Sequence, residues 1–157
     1  MTTSTSSELL QPALVRRADW PERLAHFLDG RGNMPFAWGL NDCALFAADC
    51  VWELTGVDPA HDLRGSYGSR EEAAAVLARH GGLPALVVQR LPAYLSPLQC
   101  HRGDVVCVQA PPDEPELAAD CRWTLGIVAG NGYWAAPGVR RIAYRPMAEV
   151  LHAFAVG

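Results

Sequence analysis

No apolar run reaches the roughly 18 residues that a helix needs to cross a bilayer, so the sequence carries no membrane span. The opening stretch, Met1 to Glu8, holds neither the basic block nor the apolar block of a signal peptide. Synthesis and residence in a reducing cytoplasm, or in a particle assembled there, is therefore the expectation. Clustered basic charge is missing too. The 13 basic side chains are arginines scattered along the chain, and the formal net charge is −4. That balance gives no electrostatic reason to expect nucleic acid or an anionic membrane as partner. The five cysteines, Cys43, Cys50, Cys100, Cys107 and Cys121, form no C-x-x-C pair and no Cys/His run with zinc spacing. No metal and no cofactor is expected from them, and Cys50 and Cys107 read as small buried thiols in core positions.

What is present suits one domain. The chain has 157 residues, half of them hydrophobic and 19% charged, long enough to bury a core of its own. Residues 1–15 are Ser/Thr-rich and then weakly apolar, and read as a flexible N-terminal arm able to order on a partner. Residues 16–157 read as a single α+β domain without internal repeats. A first helix is expected over Trp20–Leu28, with Asp19 as cap and Pro21 tolerated in the first turn. A second runs from about Asp42 to Leu54, with Leu45, Phe46, Ala48, Val51 and Trp52 covering most of its circumference, which makes it a central, buried helix. Ser69-Arg70-Glu71-Glu72 is a capping box opening a third helix that ends near His80. Leu83–Leu91 is a short fourth. Beyond the turn from Pro92 to Pro97 the pattern becomes strand-like: Asp104–Val108, then Leu125–Ala129 and Tyr133–Ala135 flanking the hairpin signal Gly130-Asn131-Gly132. Val139–Tyr144 and Ala153–Val156 complete a small antiparallel sheet. Helices first and strands second make N-terminal helices packed on a C-terminal sheet.

The chemistry concentrates at Asn41-Asp42-Cys43. Asn41 or Asp42 can cap the second helix by accepting from its unpaired backbone N–H groups. Cys43 then stands in the first turn, where the positive end of the helix dipole favours a thiolate over a thiol. A nucleophile so placed is one half of a cysteine hydrolase, and the other half is a histidine base.

Three motifs in order resemble the NlpC-type branch of the papain-like cysteine peptidases, which cleave peptide bonds in bacterial cell-wall peptidoglycan. Asn41-Asp42-Cys43 resembles the family's Asp-Cys-Ser nucleophile motif. Arg102-Gly103-Asp104-Val105-Val106 resembles its Pro-Gly-Asp opening of the first strand. Thr124-Leu125-Gly126-Ile127-Val128-Ala129-Gly130-Asn131-Gly132 resembles its His-Val-Gly-Ile-Tyr-x-Gly-Asn-Gly hairpin. Together they span about residues 35–136. The resemblance implies a papain-like NlpC-type fold with Cys43 at the nucleophile position.

Two departures bear on activity. Thr124 stands where the family has its catalytic histidine, and Ala136 where it has the residue that orients that histidine. An unperturbed thiol, of pKa about 8.5, is only a few per cent ionised at neutral pH, so turnover needs a base and acid beside it. Threonine can do neither, and Cys43 then reads as a vestigial nucleophile. Among the other histidines, His101 at the start of the first strand is the candidate substitute base, against the plainer reading of an exposed loop histidine. His26, His61 and His80 have surface or capping explanations, and His152 has no assignable partner. Asp49 is expected to face solvent or pair with an arginine.

Pro35-Phe36-Ala37-Trp38-Gly39-Leu40-Asn41-Asp42-Cys43-Ala44-Leu45-Phe46-Ala47-Ala48-Asp49 also resembles a group of small phage and prophage proteins whose hairpin lacks the histidine and continues as Ala-Ala-Pro-Gly, here Ala135–Gly138. That resemblance implies a structural component of a phage or phage-like tail tip, or of its assembly, in the virion tail and beside other tail-tip or hub proteins. The alternative is an active cysteine peptidase or amidase that opens peptidoglycan during DNA delivery. A third, a metal or redox site using Cys43, Cys100 or Cys121, has only the cysteine count behind it.

Overall fold

The structure, a computed structural model, describes residues 14–109 and 122–157. Most of the N-terminal arm and Cys121 lie outside the described residues. The two arm residues that are described do not behave alike: Leu14 packs against the main core, whereas Val15 is exposed.

Four helices precede a five-stranded sheet among the described residues: α1 (Trp20–Gly30), α2 (Cys43–Thr55), α3 (Arg70–Arg79), α4 (Leu83–Val88), then β1 (Val105–Gln109), β2 (Trp123–Gly130), β3 (Tyr133–Pro137), β4 (Ile142–Pro146) and β5 (His152–Phe154). The sheet is antiparallel throughout, in the order β4-β3-β2-β1-β5. The α+β reading therefore stands.

Helix α2 is central because almost nothing on it is polar. Leu45, Phe46, Ala47, Ala48, Cys50, Val51 and Leu54 are all buried. Its N-cap is Asp42, whose side chain accepts from the Leu45 N–H, and it stops at Gly56 in the left-handed conformation, φ 79°. Trp52 departs from expectation. It is 49% exposed, lying under the Arg64 guanidinium 5.3 Å from its ring centroid. Asp49 pairs with both Arg31 and Arg64, the second of its two expected settings. Asp19 does not cap α1. Its backbone is not extended there (ψ 25°), so its carboxylate instead accepts from Arg23.

The two sides of the sheet are covered differently. Strand alternation sends Val105, Cys107, Leu125, Ile127 and Ala135 into the main core against α2, and Phe154 of β5 joins them. On the far side Val106, Val108, Val128, Trp134, Ala136 and Ala153 form a second cluster, covered by the chain around Tyr94, Cys100 and Met147–Val150 rather than by an α-helix. Gly126 belongs to that far side. A Cβ there would lie 2.4 Å from the Trp134 ring, so only glycine lets the indole lie flat across β2.

Strand limits moved where hydrogen bonds were diverted. The Gly138 N–H donates to the Arg141 carbonyl, closing a turn that delays β4 to Ile142. The Val156 N–H leaves the ladder to donate to Asp104, so β5 ends at Phe154.

Candidate functional site

Cys43 is the first residue of α2 and is half-buried. The loop before it is fixed by Asp42, which is 1% exposed. One carboxylate oxygen accepts from the Leu45 N–H at 2.9 Å, and the other accepts from the Gly39 N–H at 2.9 Å and the Tyr67 hydroxyl at 2.7 Å. Asn41 does not cap; its amide donates to the Pro35 carbonyl at 3.0 Å and its oxygen accepts from Arg31. Gly39 is required where it stands. Its φ is +77°, and a Cβ would lie 2.4 Å from the Tyr67 carbonyl oxygen. Burial, then the neighbouring Asp42 carboxylate, push the Tyr67 phenol well above its ordinary range, so it remains a hydrogen-bond donor at any physiological pH.

Beside the sulfur lies a cavity of about 60 Å³ whose walls include Trp38, Asp42, Cys43, Tyr67, Leu77 and Trp123. Behind it a second apolar space of about 50 Å³ shares Ala44, Leu63, Leu83 and Leu86. The whole is far smaller than the roughly 300–1,000 Å³ of an ordinary ligand cleft. Among the described residues the cavity wall includes no histidine. Cys107, fully buried in the same core, has its thiol pushed up first by burial and then by the nearby Cys43.

The structure does not bring the other expected site residues to Cys43. Thr124 pairs with Val108, and Val108 belongs to the far cluster. Side chains directly opposite in an antiparallel pair share a face, so Thr124 points away from α2. Ala136 is a member of the far cluster and likewise faces away. His101 is exposed, with its ring 6.4 Å from that of Tyr94, again on the far side, and its backbone N–H donates to Asp104. The residue of β2 that does meet the cavity is Trp123, one place before Thr124.

Asp104, the acidic residue of the second motif, is bound up in structure rather than exposed for chemistry. It accepts from Arg16, Tyr94, the His101 N–H and the Val156 N–H, at 2.8 to 3.0 Å. Cys100 is half-buried against the far cluster. Among the described residues no three His, Cys, Asp or Glu side chains converge as a metal site.

Trp123 is legible from the sequence as part of the wall: counting the strand alternation back from Leu125 and Ile127 puts it on the apolar face. Reading the sequence missed two residues that shape this site, Gly39 and Tyr67. Gly39 lay within a quoted motif without a stated role. Tyr67, 25 residues after the Asp42 it binds, left no local signal.

No helix of the described residues is long and apolar enough to cross a membrane. No curated protein and no solved structure matches the chain. A family model does match it, over residues 15–156, and the chain belongs to that family, described as a domain of unknown function, DUF6950.

Proposed function

We propose that this chain is a structural component of a phage or phage-like tail tip, or of its assembly, built on a degenerate NlpC-like cysteine-peptidase domain that no longer hydrolyses peptides. It resides in the virion tail and contacts other tail-tip or hub proteins. The observation that carries this reading is the setting of Cys43. The cavity beside Cys43 holds about 60 Å³, is walled by Trp38 and Trp123, and among the described residues has no histidine in its lining. The strand position where the resembling family has its base, Thr124, turns to the opposite side of the sheet. The motif resemblance to small phage proteins supplies the particle context, and the geometry supports the loss of turnover.

The test is genetic and biochemical together. Deleting the gene should abolish complete tails, while Cys43→Ser, a nearly isosteric change, should leave particle yield and infectivity intact. Purified protein should release no fragments from peptidoglycan. The second reading, a working peptidase or amidase, draws on Cys43 standing at a well-capped helix N-terminus. Fragment release that disappears in Cys43→Ser would establish it and overturn the first. Normal tails after deletion would remove the structural role.

A further inference from the structure

The loop Met34-Pro35-Phe36-Ala37-Trp38-Gly39-Leu40 carries no polar or charged side chain, although it runs over the surface. Loops are ordinarily rich in polar residues, and the Cys43 cavity accounts for Trp38 alone. Leu40 is 77% exposed and Met34 41%. A second segment lies beside this loop. The Phe36 N–H donates to the Gly138 carbonyl at 2.9 Å and the Ile142 N–H to the Gly32 carbonyl at 3.1 Å, which brings Val139, 88% exposed, next to it. The loop is also held in one shape. The Asn41 amide donates to the Pro35 carbonyl, the Gly39 N–H donates to Asp42, and the Phe36 and Trp38 rings meet edge to face with centroids 4.8 Å apart. A surface fixed in this way loses little further freedom on binding. Exposed apolar patches rimmed by polar residues mark interaction sites.

The rim indicates the chemistry of the partner. Arg140 and Arg141 follow Val139 directly and are both exposed, and among the described residues no hydrogen bond or ion pair engages either guanidinium. By contrast Arg16, Arg23, Arg31, Arg64, Arg90 and Arg145 each pair with a carboxylate of the chain. Residues 33–40 and 137–141 hold no carboxylate of their own. We propose that the loop 34–40 and residues 139–141 form one docking surface for a different protein, whose opposing face is apolar with carboxylates at its edge. The proposal rests on the tail reading above, in which that partner is a tail-tip or hub protein. An apolar centre with an arginine rim is ordinary interface anatomy. A second copy of this chain fits less well, because an isologous contact uses the same patch twice and would lay one basic rim on another. An anionic bilayer fits less well too. The formal net charge of −4 opposes it, and two arginines fall short of the roughly four to eight basic residues that mark such a surface.

The experiment counts copies of the chain per purified particle by quantitative mass spectrometry, for the unaltered chain and three variants. Leu40→Glu with Val139→Glu, and Arg140→Glu with Arg141→Glu, should each lower the count about tenfold or more, the scale of losing interface anchors. Leu95→Glu with Leu98→Glu, at leucines 101% and 96% exposed on the turn before β1, should leave it unchanged. All six positions are exposed, so the urea midpoints of the purified proteins should coincide. Should the apolar pair of changes prevent folding, the arginine pair decides, since it alters surface charge alone. A normal count in either folded patch variant overturns the docking surface and leaves the tail reading in place. An unaltered chain absent from particles overturns both. An equal fall with Leu95→Glu and Leu98→Glu also overturns the surface. Purified protein tests the other occupants. Sedimentation as a dimer that both patch variants dissociate assigns the surface to a second copy and overturns the proposal. Flotation with phosphatidylglycerol vesicles, lost in the same variants, overturns it in favour of a bilayer.

Discussion

Two buried carboxylates, Asp42 and Asp104, each 1% exposed, show how differently the two ends of the motif series are used. Asp42 is held by neutral donors only: two backbone N–H groups and the Tyr67 hydroxyl. It fixes one loop and one helix start, both local to Cys43. Asp104 has a cation. The Arg16 guanidinium reaches it from the N-terminal segment, also donating to the Val156 and Arg102 carbonyls, while Val156 itself donates from the end of the chain. One carboxylate therefore organises a site and the other ties both ends of the domain to the foot of β1. A buried acid adjoining a motif is not evidence of chemistry until its donors are counted.

That contrast sets the order of effects. Asp104→Ala should be the most damaging, at about 3–5 kcal/mol, because it strands a part-buried guanidinium and three further donors. Urea unfolding measures it. A loss below about 1 kcal/mol would mean that the clip is ornamental. Asp42→Ala should lose about 1–3 kcal/mol, the range for a helix cap whose removal also leaves the Tyr67 hydroxyl unpaired. The same variant should alter Cys43 alkylation, and Asp104→Ala, at a denaturant concentration where it is still folded, should not. Equal effects of both on Cys43 would erase the distinction between site and clip.

The two carboxylates also show how much could be read without coordinates. The helix-then-strand order, the capped α2, the Gly130–Gly132 hairpin and the Asp49–arginine pairing were legible, because each rests on local spacing or on the cost of an unpaired charge. Which face each strand residue takes against α2 was not stated, and that decided the site. Motif matching put Thr124 and Ala136 at the positions of the family's base and its orienting residue, whereas the alternation of β2 turns Thr124 away from α2 and brings Trp123 forward, and Ala136 of β3 joins the far cluster. Tyr67 reaches the site through a tertiary contact from a distant segment, which no spacing rule reports. Trp52 was misjudged because a nearly all-apolar helix still has one side that a salt-bridged arginine can cover.

Thiols sharpen the comparison of the two sides at high pH. On the α2 side, burial pushes the Cys50 thiol from 9.0 up to about 12, whereas Cys100 on the far side is only half-buried. A folded value above the unfolded one means the unfolded chain releases its proton first. The Cys50 contribution is therefore fully present below pH 9 and is lost as pH rises through about 12. The urea midpoint of the unaltered chain should fall steadily above pH 9. Cys50→Ala, less stable at neutral pH by the cost of a small cavity, should show a shallower fall. It should not be flat, since Cys107 and Tyr67 are raised as well. An unchanged slope in Cys50→Ala would mean that the α2 side is wetter than its packing implies.

The smallest effect expected is the most telling. Thr124→His restores the residue type that the resembling peptidases carry at this place in the hairpin, yet peptidoglycan hydrolysis should not appear. Thr124 shares its face with Val108 and Gly126, so an imidazole there would meet the far side of the sheet, not the Cys43 cavity. Thr124 is only half-buried, and the stability change should stay within about 1 kcal/mol. The Cys43 alkylation profile should not move either. Hydrolysis gained by this single change would show that the strand can shift by one residue and present the other set of side chains to α2, since a one-residue slip exchanges the two faces. Against that slip stands the Gly126–Trp134 contact: shifting β2 by one residue would put Leu125 or Ile127 under the indole, where now only a glycine fits.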